Sequence, residues 1–156
     1  MIKKFAFRLD QVLRHRANML EMRERALAEV EAQLLRERKV LADLFALRED
    51  LLGEMAQMQT GPFASMEREL YQQYLDWMAI EQERERRIIR ELEALRDAKR
   101  AELVKASQDH RIVERLRERE YEDYMIEVGR MEQGVLDEMA GNAYARGVRL
   151  YGETAR

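Results

Sequence analysis

Leucine recurs every seven residues over the first third of this 156-residue chain, and this repeat constrains the fold more than any other feature. One track passes through Leu13, Leu20, Leu27, Leu34 and Leu41. Alternating steps of four and three residues extend it into an apolar stripe from Leu9 to Met58. Residues with this spacing lie along one side of an α-helix and bury themselves against another helix. The pattern predicts a long coiled-coil helix over about residues 5–59.

The stripe ends at a break, "QTGPF", which holds the only proline of the chain. Gly61 can adopt the left-handed conformation that ends a helix, and Pro62 can begin a helix but not continue one. We expect a turn over residues 60–63 and a second helix over about 64–140, followed by a frayed tail over 141–156. Helices joined by so short a connection pack antiparallel. The sequence thus predicts an all-α fold, an antiparallel coiled-coil hairpin whose second helix is the longer.

The second helix carries a stripe of its own, in which polar residues are more frequent. It is predicted to pass through Ile88, Leu92, Leu95, Lys99, Leu103, Ala106, His110, Val113, Arg117, Tyr121, Tyr124, Val128, Met131 and Val135. Toward the turn, Tyr74 and Trp77 continue this stripe, and this position favours core packing for Trp77. Tyr71 lies off the stripe, so its role as a core or contact residue stays open. The charged members of the first stripe are expected to lay their stems along the seam and extend their heads to water. They are Arg16, Arg23, Glu37 and Arg48.

Composition narrows the function classes. Charged residues make up 38% of the chain, with both signs interleaved and a net charge of -3, so there is no basic footprint for nucleic acid. No apolar run approaches the roughly 20 residues that span a bilayer. There is no cysteine and no glycine-rich phosphate loop, and His15 and His110 alone do not make a metal site. We therefore expect a cytoplasmic protein that is no enzyme and has no cofactor.

Two segments are candidates for contact with a partner. The amino-terminal segment "KKFAFRLDQVLRHR" is both basic and apolar, and Phe5, Phe7 and Val12 are not used by the coiled-coil stripe. Such a segment can lie on a membrane surface or insert into another protein. Near the turn, Tyr71 and Tyr74 flank two uncharged glutamines, and large exposed rings often serve as interface anchors.

Both ends of the chain carry motifs of a known family. The stretch "FAFRLDQVLRHR" resembles the opening of the FliJ family, a Phe-x-Phe-x-Leu segment followed by Val-Leu and an arginine. The stretch "DHRIVERLREREYEDYMIEVGRMEQGVLDEMA" resembles the family's second signature. The matching residues are Val113, Leu116, Arg117, Tyr121, Tyr124, Leu136, Asp137, Glu138 and Ala140. The chain departs from the family at Gln133 and Gly134, where a lysine or arginine is usual.

The resemblance implies a stalk-like, non-enzymatic component of the flagellar type III export apparatus. It implies a cytoplasmic location, peripheral to the inner-membrane export complex without insertion in the membrane. The implied partners are the hexameric export ATPase, the cytoplasmic domain of the export-gate membrane protein and, for some members, export chaperones. We predict Tyr71 and Tyr74 as contacts for the gate. We predict as contacts for the ATPase Phe5, Phe7, Arg8, Val12, Arg16, Tyr121 and Tyr124.

Other functions are compatible with the same residues. The injectisome has an equivalent stalk protein, and a plain coiled-coil adaptor would share the composition. The amino-terminal segment also fits a membrane-surface protein. A local basic run would fit a nucleic-acid-binding arm, but the net charge of -3 argues against this function. The run consists of Arg84, Arg86, Arg87 and Arg90.

Overall fold

The structure is a computed structural model that describes the backbone of residues 4–57 and 64–153, and the side chains of 4–57 and 65–144. Over this part of the chain there are two helices and no strand. Helix α1 spans Asp10–Gln57 and helix α2 spans Ala64–Glu153. The all-α fold and the longer second helix are confirmed. The turn predicted at Gly61 and Pro62 lies outside the described residues.

Both outer helix ends differ from the sequence-based expectation. Helix α1 begins at Asp10 rather than near residue 5, and residues 4–9 are not helical. The Asp10 amide donates to the Phe7 carbonyl at 3.2 Å, and the Asp10 carboxylate lies at the helix end that favours negative charge. Helix α2 continues past 140 to Glu153, through the segment expected to fray. Gly141 does not end it, since one glycine in a helix costs only about 1 kcal/mol relative to alanine.

The chain divides into two compact units. The hairpin unit comprises residues 18–107, and the terminal unit comprises residues 1–17 with 108–156. In the hairpin unit the helices pack antiparallel. Arg23 near the start of its α1 portion binds Glu102 at 2.6 Å, whereas Glu54 near the end of α1 accepts a hydrogen bond from Tyr71 at 3.0 Å. The predicted packing of two helices is therefore confirmed in this unit.

The α1 stripe forms one side of the hairpin unit's core, as its leucine repeat predicted. Val30 and Leu34 are buried, and the neighbouring stripe positions Leu27, Leu41 and Leu44 are half-buried. Because steps of four and three residues keep these side chains on one helix face, they meet α2 along a continuous line.

The seam of α2 differs from the predicted stripe by one residue at several positions between residues 71 and 96, although Leu92 belongs to both. Its buried and half-buried seam passes through Tyr71, Leu75, Met78, Gln82, Glu85, Ile89, Leu92 and Arg96. Trp77 is therefore not in the core, where the sequence placed it, but is 48% exposed. Leu95 is likewise exposed, and Arg96 takes the seam position. The predicted choice of helix face was wrong because the observed seam contains the polar residues Gln82, Glu85 and Arg96. In the sequence, the neighbouring face therefore has the more regular apolar pattern.

Two charged residues of the α1 stripe form ion pairs with carboxylates of α2. In the hairpin unit Arg23 pairs with Glu102, and in the terminal unit Arg16 pairs with Asp109 at 3.0 Å. The sequence predicted only that the heads of these arginines reach water, and it did not predict their partners. Partly exposed pairs of this kind contribute about 0–1 kcal/mol each, so they define the pairing of the helices more than they stabilise it.

Candidate functional site

Three aromatic rings form a cluster in the terminal unit. Phe5, in the non-helical segment before α1, lies edge-on against Tyr121 of α2, with ring centroids 5.2 Å apart and planes at 78°. Its centroid is 5.6 Å from that of Tyr124, and the two tyrosines are 6.3 Å apart. Edge-on and tilted arrangements at these distances are favourable for aromatic rings. The structure thus brings together three residues that the sequence predicted as one contact surface.

A shallow groove beside this cluster gives it a mixed chemical character. The groove is lined by the aromatic residues Phe5 and Tyr121 and by the charged residues Glu114, Arg117 and Glu118. Tyr121 is exposed, whereas Phe5 is half-buried. An apolar wall next to charges of both signs suits a protein partner that places an apolar side chain in the groove and ionic groups around it.

The other predicted residues of this end divide into buried and exposed groups. Phe7 is only 8% exposed, so its ring is occupied within the chain and holds the segment in place. Arg8 and Val12 are exposed, and Arg16 is exposed while paired with Asp109. The surface open to a partner therefore includes Arg8 and Val12 but not the ring of Phe7.

Tyr71 occupies a seam position in the hairpin unit. Its hydroxyl donates a hydrogen bond to the Glu54 carboxylate at 3.0 Å. This hydrogen bond, together with the negative charge of Glu54, raises the pKa of the Tyr71 phenol above its ordinary value. Tyr71 thus ties α2 to α1 and stays in its neutral, hydrogen-bonding form at neutral pH.

Tyr74, which the sequence indicated as a candidate contact, belongs to a larger exposed apolar face that sequence reasoning did not identify. Its ring stacks on Trp77, with centroids 5.4 Å apart and planes at 15°. Other exposed members of this face stand at helical spacing on α2. We call the five together the apolar flank: Met66, Leu70, Tyr74, Trp77 and Ile80. The spacing is visible in the sequence, but it predicted core packing rather than an exposed face.

A shallow groove runs beside the apolar flank. Leu51 of α1 and Leu70, Tyr71 and Tyr74 of α2 line it. The groove links the half-buried ring of Tyr71 to the exposed ring of Tyr74. The two tyrosines predicted as gate contacts are therefore neighbours on one surface, with different exposure.

One half-buried carboxyl group of the hairpin unit has an oxygen that is shielded from water. Glu85 Oε2 is inaccessible to water and has no hydrogen-bond partner among the described residues. Burial, and then the carboxylate of Glu37, raise the pKa of Glu85 above its ordinary value. Both residues occupy seam positions, on α2 and α1 respectively. Two carboxyl groups that face each other across the seam bear on the stability of the hairpin unit.

Two further observations bear on the kind of site present. Over the described residues, no three or more histidine or carboxylate side chains are grouped so as to hold a metal ion. Neither described helix contains a stretch long and apolar enough to cross a membrane. The surfaces that stand out are the aromatic cluster and the apolar flank, and both are suited to binding proteins.

The fold defines an all-α protein of two helices packed against each other as a helical hairpin. A family model described as flagellar FliJ protein matches residues 5–149. The chain therefore belongs to the FliJ family and is a component of the flagellar export apparatus. Comparison with the curated proteins and with the solved structures gives no match.

Proposed function

We propose that this chain is a non-enzymatic, stalk-like component of the flagellar type III export machinery that binds the hexameric export ATPase and the export gate and promotes export. The observation that carries the proposal is the family match over residues 5–149. The matched range includes Phe5, Tyr121 and Tyr124, the three residues of the aromatic cluster. In this proposal the chain works in the cytoplasm, peripheral to the inner-membrane export complex, and export chaperones are additional partners.

The aromatic cluster is the proposed ATPase-binding surface. Exposed Tyr121 and the groove beside Phe5 supply an apolar anchor, and Arg8 and Val12 extend the surface along the amino-terminal segment. Aromatic and arginine side chains contribute most strongly to binding when a partner removes them from water. Phe7 supports the surface from beneath by fixing the segment.

The apolar flank is the proposed surface for the cytoplasmic domain of the export-gate protein. Tyr74 and Trp77 form a stacked, exposed pair, and Leu70 continues the flank toward the start of α2. Such a contiguous apolar face is uncommon on a protein that acts alone. Tyr71 contributes through its position in the adjoining groove rather than through an exposed ring.

A component of this kind would act without chemistry of its own. Binding one arrangement of an ATPase ring more tightly than another shifts the ring toward the favoured arrangement by the difference in binding free energy. Faster ATP turnover would follow from that bias or from promotion of ring assembly.

The test combines co-purification with ATP turnover. The full chain is mixed with the export ATPase of the same organism, and turnover is measured at increasing amounts of chain. We expect binding and faster turnover at substoichiometric chain, as for a single central stalk in a ring. No binding and no change in turnover would contradict the ATPase assignment and leave a coiled-coil adaptor.

Two reciprocal variants separate the proposed surfaces. Phe5→Ala is expected to weaken ATPase binding at least tenfold, the equivalent of about 1.4 kcal/mol, and to leave binding of the gate domain unchanged. Tyr74→Ala is expected to do the opposite. Loss of both interactions with either variant would indicate a general structural defect, and it would contradict the assignment of separate surfaces.

A further inference from the structure

An apolar stripe on α2 continues beyond the point where the chain's own amino-terminal segment packs against it. It passes through Val128, Met131, Val135 and Met139, whose steps of three, four and four residues keep them on one helix face. Val128 is half-buried, and every described residue from 129 to 144 is exposed. The described amino-terminal residues meet α2 at Tyr121 and Tyr124 and start only at residue 4. The stripe thus has the pattern of a helix interface, with no described part of this chain covering it.

Carboxylates line the edges of this stripe. At about 100° per residue, Glu127 and Glu138 lie along one edge and Glu132 lies on the other side of its centre line. None of these three has an ion-pair partner among the described side chains. Arg130 and Asp137 lie on the opposite face of the helix, where Asp137 accepts a hydrogen bond from Gln133 at 3.0 Å. The stripe is therefore apolar along its centre and negatively charged at its rim.

We propose that this acidic stripe, comprising Val128, Met131, Val135 and Met139 with Glu127, Glu132 and Glu138, binds a basic amphipathic helix of another protein. The apolar side of such a helix would cover the centre of the stripe, and its lysines or arginines would pair with the three carboxylates. The proposal adds a third surface to the two described above and does not depend on the partners proposed for them.

Charge complementarity favours this occupant over a second copy of the chain. Two copies that joined their stripes would bring two sets of carboxylates together across the interface, and like charges at such positions oppose association. A basic helix replaces that repulsion with attraction. Its on-rate should fall as salt rises, because long-range attraction between charges is screened.

The glycines of this segment give a second measurable consequence. A Cβ atom added at Gly129 or at Gly134 would meet no neighbouring atom within 4 Å, so neither glycine is required by close packing. Glycine also weakens an unsupported helix. A bound helix should therefore slow amide hydrogen exchange over residues 129–144 by at least about tenfold, more than elsewhere in the chain.

The binding test uses two synthetic peptides of roughly three heptads each, with leucine at the seam positions and either lysine or glutamate at the flanking positions. Fluorescence anisotropy measures their binding to the full chain. We expect the lysine peptide to bind at least about tenfold more tightly than the glutamate peptide at low salt, and the difference to shrink as salt rises.

A matched pair of variants locates the binding site. Val135 is 56% exposed on the stripe, and Ile126 is 55% exposed on the opposite face. Val135→Asp is expected to weaken binding of the lysine peptide at least about tenfold, and Ile126→Asp by less than about twofold. Because both variants place the same residue in the same helix, a loss of helicity would affect them alike. Glu132→Lys, compared with Asp137→Lys on the opposite face, repeats the comparison without altering the apolar centre.

Several outcomes would overturn the proposal. They are equal binding of the two peptides, equal effects of Val135→Asp and Ile126→Asp, and the absence of binding. Sedimentation of the chain at increasing concentration tests the second-copy alternative. A dimer that Val135→Asp abolishes and Ile126→Asp preserves would show that another copy of the chain covers the stripe.

Discussion

Phe5 contacts Tyr121 edge-on at a centroid distance of 5.2 Å, and this contact joins the non-helical amino-terminal segment to the middle of α2. Residues 4–9 of this segment are not helical, although the Phe7 and Leu9 carbonyls accept hydrogen bonds from the Asp10 and Leu13 amides at 3.2 and 2.9 Å. Its position therefore depends on side-chain packing, through the half-buried ring of Phe5 and the buried ring of Phe7. Phe5 therefore both belongs to the candidate ATPase surface and helps to hold the segment in place, whereas Phe7 only holds it in place.

A double-mutant cycle measures this contact. Phe5→Ala and Tyr121→Ala, singly and together, should show a coupling free energy of about 0.5–1.5 kcal/mol, because aromatic pairs are worth that much beyond their buried area. Amide hydrogen exchange at the start of α1 provides the local opening free energies. Tyr144→Ala serves as the control, since Tyr144 is highly exposed. Additive effects of Phe5→Ala and Tyr121→Ala would contradict a direct ring contact.

The phase of α2 can be tested at two adjacent residues. Met78 is completely buried, whereas Trp77 is half-exposed. Met78→Ala should lower the free energy of unfolding by about 2–5 kcal/mol, because it removes buried methylene groups and leaves a cavity. Trp77→Ala should cost less than about 1 kcal/mol, although the side chain is larger. Urea unfolding followed by circular dichroism measures both. A larger loss for Trp77→Ala would restore the phase predicted from the sequence.

Glu85 should make the stability of the hairpin unit depend on pH. Its pKa is raised in the folded protein by burial and by Glu37, so the folded state favours the protonated carboxyl. The stabilisation is complete below the ordinary carboxyl pKa and is lost as the pH rises through the folded pKa. Glu85→Gln should therefore raise the free energy of unfolding at neutral pH, and the gain should vanish below about pH 4, where the carboxyl is protonated in the folded and the unfolded state alike.

Urea unfolding across this pH range checks the prediction for Glu85. The control is Glu91→Gln, which changes the same charge at an exposed position of α2. A gain from Glu85→Gln that is constant with pH would mean that the effect does not arise from ionisation. An equal gain from Glu91→Gln would mean that it reflects the net charge of the chain.

Gln82 is the buried polar residue of the hairpin seam. It is 5% exposed, and its amide donates to the Leu44 carbonyl at a long 3.4 Å. A leucine would fill similar space without the cost of removing an amide from water. Gln82→Leu should raise the free energy of unfolding by about 1 kcal/mol, since a neutral hydrogen bond contributes only about that much net. Gln73→Leu at an exposed site is the control, and a loss of stability from Gln82→Leu would show that the amide contact is strong.

The α1 seam was predictable from the sequence because its apolar residues repeat with almost no competing pattern. Leu27, Val30 and Leu34 occupy three consecutive seam positions, and Val30 and Leu34 are buried as this spacing predicts. The break in the pattern and the second apolar stripe also predicted two helices that pack together. Local periodicity is sufficient for these features because helix geometry alone determines which residues share a face.

Tertiary packing decided the features for which local patterns compete. On α2 the faces around Trp77 and Met78 are both rich in apolar residues, and only the fit against α1 selects the face of Met78. The amino-terminal segment leaves the helix before Asp10 because Phe5 gains contacts with Tyr121 and Tyr124 that are remote in sequence. The sequence by itself determined the helices and the α1 seam. The tertiary structure alone decided which aromatic rings are buried and which are exposed, because that depends on the neighbours each ring meets across the helix pair.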